Sequence, residues 1–144
     1  MRKILRITGI GLFAVLSLFL IAFGALYASV HDLLWFHAAA VPPSALEAVR
    51  PLYFALMKLI GGSSAGLGFL GLYVTFFPLR RGSMLAPIAL AVAYSTAITM
   101  AAIVAEKLAA TTGAPTSWHI MGVLLAMTAA GLFSTLVGRI KTLS

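Results

Sequence analysis

The chain has 144 residues, 62% of them hydrophobic and only 9% charged, with a formal net charge of +7, a pI near 10.4 and a mean hydropathy of +1.08. Soluble domains carry about a quarter of their residues as charges, and a domain this small cannot bury so much apolar surface, so a soluble globular fold is excluded. The basic residues flank hydrophobic runs instead of forming a patch interleaved with aromatics, which argues against nucleic acid as a partner. The absence of cysteine excludes disulfides, thiolate metal sites and iron–sulfur clusters carried by this chain alone.

Four apolar stretches follow in chain order, residues 4–30, 51–77, 84–105 and 118–137. Each reaches the roughly 20 residues that a helix rising 1.5 Å per residue needs to cross about 30 Å of hydrocarbon. Backbone groups in lipid must bond to one another, and no barrel-like alternation is present. The prediction is one all-α domain over residues 1–144, an integral membrane four-helix bundle. The first stretch, preceded by Arg2, Lys3 and Arg6, imitates a signal peptide. Its apolar run exceeds the roughly 7 to 15 residues of such a segment, and Leu26-Tyr27-Ala28 is a poor cleavage site, so a retained helix is expected.

The 31–50 segment is the one long loop, and a short interfacial helix is expected within it. Ser44-Ala45-Leu46-Glu47 has capping-box spacing, which starts that helix at Ser44 before Pro51 opens the second span. Ser83 is placed to cap the third span, with Pro87 still in its first turn, and Thr116 or Ser117 to cap the fourth. Tyr27, Trp35, Tyr53 and Trp118 suit an outer aromatic belt. Arg2, Lys3, Arg6, Arg80, Arg81, Arg139 and Lys141 fall on one side of the spans, against Arg50 and Lys107 on the other. That asymmetry predicts both chain ends inside the cell.

Small residues four apart let membrane helices approach closely. The third span carries Ala89, Ala93, Ala97, Ala101 and Ala105, and the fourth Gly122, Ala126, Ala130, Ser134 and Gly138. Both ridges are expected to face neighbouring helices, as are Gly61, Gly62, Gly66, Gly68 and Gly71 of the second span, whose density suggests tight contact or a bend. Ser17, Ser64, Ser95, Thr96 and Thr128 come near the midplane, with Tyr94 and Thr99 close by. They line a small polar site, or they bond to carbonyls one turn back.

Every acid (Asp32, Glu47, Glu106) and every histidine (His31, His37, His119) falls at the outer end, where any chemistry is expected. Lys58 is the one charge well inside a span, about seven residues or roughly 10 Å from the predicted helix start. It is read either as a functional charge or as a clamp snorkelling to Glu106, Asp32 or Glu47, with Glu106 the favoured partner. His31 and His119 from two helices can ligate a metal or haem only if they converge, and histidines beside an acid at this end also suit a proton-linked response on the outer side. No nucleophile sits near a base at triad-like spacing, and neither a His-Glu-x-x-His site nor a phosphate-binding glycine loop is present. The reading is of a non-enzymatic chain without a cofactor.

The segment His37-Ala38-Ala39-Ala40, with Leu56-Met57-Lys58-Leu59-Ile60-Gly61-Gly62 and Phe77-Pro78-Leu79-Arg80-Arg81-Gly82, resembles small bacterial inner-membrane proteins similar to the DoxX-like four-helix families. The resemblance covers mainly residues 31–82. It implies a bacterial inner-membrane four-helix bundle with a basic residue at Lys58 in a shared structural role, and it carries over no catalytic residues. The expected function is that of an accessory or scaffolding subunit packed against a larger membrane complex or against copies of itself. The alternatives are a small-molecule binding protein or carrier with an outward vestibule around Lys58, Glu106 and His119, and a haem- or metal-binding redox subunit.

Overall fold

The computed structural model describes residues 1–113 and 118–139, and all its regular elements are helical. They are α1 (Arg2–Ala28), the single turn α2 (Trp35–Ala38), α3 (Leu46–Val74), α4 (Leu85–Thr112) and α5 (His119–Val137). A 3-10 turn, Pro43–Ala45, leads into α3, and a π-helical segment, Thr75–Leu79, continues it. Four segments are long and apolar enough to cross a membrane: Arg2–Ala28, Pro43–Leu79, Leu85–Thr112 and His119–Val137. In space α1 lies between α3 and α5, α5 packs in turn on α4, and α3 and α4 barely touch.

Two boundaries differ from expectation. The segment from Ser44 is not a separate interfacial helix, because α3 starts at Leu46 and runs through Pro51 without a break. Proline there removes one donor and leaves the Glu47 carbonyl without its helical partner, one turn from the exposed helix start where water can take its place. Helix α4 runs to Thr112 instead of stopping near 105. Glu106-Lys107-Leu108-Ala109-Ala110 are good helix formers, and the stop comes at Gly113, whose φ of 68° gives a left-handed cap with its N–H on the Ala109 carbonyl at 2.9 Å. At the other end the Ser83 hydroxyl accepts the Ala86 amide at 3.3 Å, and Pro87 is buried in the first turn as anticipated. The caps expected from Thr116 and Ser117 lie outside the described residues.

The close contact of α1 and α3 is made of backbone. A Cβ on Gly24 would stand 2.5 Å from the Ala65 amide nitrogen and the Gly61 carbonyl, and one on Gly61 would stand 2.5 Å from the Ala28 nitrogen and 2.6 Å from the Gly24 carbonyl. Gly24 with Ala28 and Gly61 with Ala65 thus form two interlocked small-xxx-small pairs, the packing that lipid favours because apolar burial alone gives helices no reason to associate. Gly68 continues the seam against Ser17 and Ile21. On the other side of α1, Gly9 meets Gly131 and Thr135, and Gly138 meets Arg2 and Arg6.

The glycine and alanine ridges divide. Gly62 and Gly66 point outward with nothing within 4 Å of an added Cβ, and Ala126 and Ala130 are exposed. A step of four residues overshoots a 3.6-residue turn by about 40°, so a four-spaced series winds around its helix. In α5 it has turned away from its neighbours at Ala126 and Ala130 and comes back at Ser134, while the buried face is Leu124, Thr128, Gly131 and Thr135. Gly122 is half-buried beside its own Trp118 ring. Ala93, Ala97 and Ala101 are half-buried, flanking the buried stripe of Leu90, Ala91, Tyr94 and Ile98 on α4.

Tyr94 fills the centre with no exposed surface, its ring 6.3 Å from that of Phe13. Its hydroxyl is 2.5 Å from Ser17 Oγ, and Ser17 gives its only proton to the Phe13 carbonyl at 2.7 Å, so Tyr94 is the donor to Ser17. The same phenol lies directly over Gly71, where any side chain would collide with it. Of the hydroxyl layer, Ser17 and Thr128 are buried and both bond one turn back, Thr128 to Leu124 at 2.8 Å. Thr96 is exposed, and Ser64 and Ser95 are half-buried.

Three variants test this packing by thermal unfolding in detergent. Gly61→Ala forces a methyl into backbone and is expected to cost about 1–3 kcal/mol, whereas Gly11→Ala, with open space around it, leaves the midpoint unchanged or slightly higher. Tyr94→Phe keeps the ring but removes the donor to Ser17, for an expected loss of about 1 kcal/mol; an unchanged midpoint would show that bond to be worth nothing.

Candidate functional site

The acidic end of the bundle gathers the polar side chains that the sequence points to, but in two small groups and not in one. Arg50, in the second turn of α3, holds Asp32 of the loop at 2.9 Å and Glu47, three residues earlier, at 3.7 Å. Spacing of three residues on a helix puts Glu47 and Arg50 side by side. These carboxylates are 84% and 87% exposed, so the pairs are worth little as stability and serve mainly to position the loop. With Leu33, Ala38 and Leu46 they line an open cleft of about 240 Å³.

The second group fastens the α2 turn to α3. Tyr53 is buried, and its hydroxyl accepts the Leu34 amide at 3.2 Å while lying 3.0 Å from His37 Nδ1. With the phenol proton given to Nδ1, the remaining imidazole proton sits on Nε2, and all three groups are satisfied. Phe36 packs edge-on against His37 at 4.4 Å and Trp35 against Phe36 at 5.8 Å, while Tyr53 meets His37 at 5.6 Å. Burial lowers the His37 pKa below 6.5 by penalising the imidazolium.

The other candidates stay apart. His31, Lys58, Glu106 and His119 are exposed, and the expected Lys58–Glu106 clamp is not formed among the described residues. The reason is the helix order: α1 and α5 separate much of α3 from α4, which carry the two residues. Neither this cleft nor the one at the basic end is lined by Lys58, Glu106 or His119. Among the described residues no three His, Asp or Glu side chains come together as metal ligands, so His31, His37 and His119 form no such group with the carboxylates. His119 stacks on Trp118 at 4.6 Å.

The basic end holds an arrangement that sequence reasoning missed. Pro78 cannot continue the α-helical ladder, and the chain widens into the π segment there, with the Ser83 amide on the Pro78 carbonyl at 2.9 Å. Carbonyls at and just beyond this helix end accept bonds from guanidinium groups of α1 and of the segment after α5. Arg6 donates to the Arg80 carbonyl at 2.6 Å, and Arg139 donates to Leu79 at 2.8 Å and to Ser83. Cations suit a helix C-terminus, where the backbone dipoles leave partial negative charge. Burial, and then the nearby charge of Arg6, lower the Arg139 pKa.

Compared with protein-family models, curated protein sequences and solved structures, the chain matches none.

The His37 environment sets a direction with pH. An unfolded histidine protonates near 6.5 and the folded one only at lower pH, so the folded chain binds fewer protons, and stability present above 6.5 falls between 6.5 and the folded pKa. Protection factors of the amides of residues 34–38, with the slower intrinsic exchange at low pH divided out, are expected to fall as pH drops from 7.5 to 5. His37→Phe removes that dependence; an equally pH-sensitive His37→Phe loop would assign it to another group.

Proposed function

We propose that the chain is a multi-pass subunit of the bacterial inner membrane, of the DoxX-like four-helix kind, with both ends on the cytoplasmic side. The gathering of Arg2, Lys3, Arg6, Arg80, Arg81 and Arg139 at one end supports this orientation. Rise along the helices supports the depth. From Leu79 back to Lys58, and from Leu85 to Glu106, each helix advances about 31 Å, close to the hydrocarbon thickness of roughly 30 Å. Lys58 then lies at the outer boundary and not well inside a span, since α3 begins twelve residues before it at Leu46. Its amine snorkels to the headgroups without needing Glu106.

The role proposed is non-enzymatic: an accessory or scaffolding subunit that packs against another membrane chain or a second copy of itself. The outward pair Gly62 and Gly66 carries this reading. Ala55, Leu59, Gly62, Gly66, Phe69 and Tyr73 share one exposed face of α3, so the two glycines form a notch between Leu59 and Phe69, which are 65% and 62% exposed. The chain itself shows what such a notch does, because the Gly24–Gly61 contact joins α1 to α3 by backbone approach. A transmembrane helix bearing small residues fits the notch in the same way.

Chemical crosslinking and mass measurement in mild detergent test it with Gly62→Ile and Gly66→Ile. Both have room for the side chain in the lone protein, so folding is retained and the assembly is expected to fall apart into single chains. A native protein that purifies as a lone monodisperse chain without partners, or variants that keep the assembly mass, would defeat the proposal.

A further inference from the structure

At the basic end an open cleft of about 290 Å³ is lined by Lys3, Arg6, Ile7, Ile10 and Arg80. Its rim is cationic and its floor apolar. Every acid of the chain lies elsewhere: Asp32 in the loop, Glu47 at the start of α3 and Glu106 near the far end of α4. Three cations on one small cleft with no carboxylate among its lining residues concentrate positive potential that attracts an anion. The neighbouring cations are already engaged. Arg139 is committed to the Leu79 and Ser83 carbonyls, and the Arg81 guanidinium lies 6.0 Å from the centre of the Phe77 ring. Arg6 is held in place by its bond to the Arg80 carbonyl, and its Nε is buried without a partner.

We propose that this cleft binds the phosphate of an anionic phospholipid, with Lys3, Arg6 and Arg80 around the headgroup and Ile7 and Ile10 under the first part of an acyl chain. A planar guanidinium fixed at one nitrogen presents its remaining donors to phosphate oxygens in a set geometry, and lysine adds a mobile point charge. Ile7 is 59% exposed directly below the cations on α1, so a ligand that is charged at one end and apolar at the other satisfies the whole cleft, and a small soluble anion only its rim. Basic hollows between helices at the cytoplasmic boundary suit such headgroups. This inference rests on the membrane reading above, so retention of the chain in membranes after a high-salt alkaline wash is checked first. Release at that step would fail that reading, whatever the cleft binds.

The full chain in mild nonionic detergent is then titrated with phosphatidylglycerol and, separately, with phosphatidylcholine of the same acyl chains, with retention read by native mass spectrometry. Phosphatidylglycerol is expected to bind more tightly. Lys3→Gln and Arg80→Gln each weaken it about five-fold at low salt and together about 25-fold, with little change for phosphatidylcholine. Arg81→Gln, outside the cleft, leaves binding as it was. The unfolding midpoint of each variant serves as the folding control. Inorganic phosphate binding that depends on Lys3 and Arg80, without any preference between the lipids, would keep the phosphate site but assign it a soluble ligand. Equal retention of both lipids without phosphate binding, or native affinity in Lys3→Gln and Arg80→Gln, overturns the proposal.

Discussion

The rest of the fold depends on how closely α1 can approach α3. Because Gly24 and Gly61 let backbone meet backbone, α1 sits deep enough for Ser17 to lie beside Gly71, and that juxtaposition creates the space that Tyr94 enters from α4. The phenol then joins α4 to both α1 and α3. It is placed where α3 and α4 make almost no direct backbone contact, so one buried side chain closes the middle of the bundle. In lipid, where apolar burial gives little drive for association, such a contact carries more of the specificity than a leucine in its place would.

The two ends are closed by different chemistry. At the basic end, guanidinium groups of α1 and of the segment after α5 bond to carbonyls at the end of the π segment and just beyond it, so charged side chains tie three helices together. At the acidic end the loop is tied to α3 by a neutral histidine–tyrosine contact and a surface ion pair. The first set stays charged across any ordinary pH. The second includes His37, whose protonation burial holds below pH 6.5, and that makes the acidic end the one that responds to proton concentration.

The four spans were legible because length and hydropathy speak directly to hydrocarbon thickness, and three of the four starts fall within a residue or two of where the sequence puts them. Pro51 misled because proline so close to a helix start is tolerated. Helix order was not legible: nothing in the periodicity of α3 says that α1, and not α4, lies against Gly61. The candidate site divides in the same manner. Glu47 and Arg50 are three apart on one helix and could be paired from spacing alone. His37 and Tyr53 are joined only by the path of the loop, and Lys58 and Glu106 stand on two helices that barely touch. The capping by Arg6 and Arg139 was hidden because topology alone already accounts for basic residues at that end.

Gly61 and Gly62 show most plainly how adjacent residues come to serve different surfaces. Successive residues on a helix are turned by about 100°, so when Gly61 faces α1 its neighbour faces away from it. Each glycine in a helix interior costs roughly 1 kcal/mol relative to alanine. For Gly61 the cost is offset by an approach that no other residue permits. For Gly62 and Gly66 nothing among the described residues offsets it, since an added Cβ at either place meets no atom within 4 Å. A face that keeps two glycines four apart, between Leu59 and Phe69, therefore has the form of half a helix–helix contact. Within the proposed assembly, the other half is supplied by a second membrane helix.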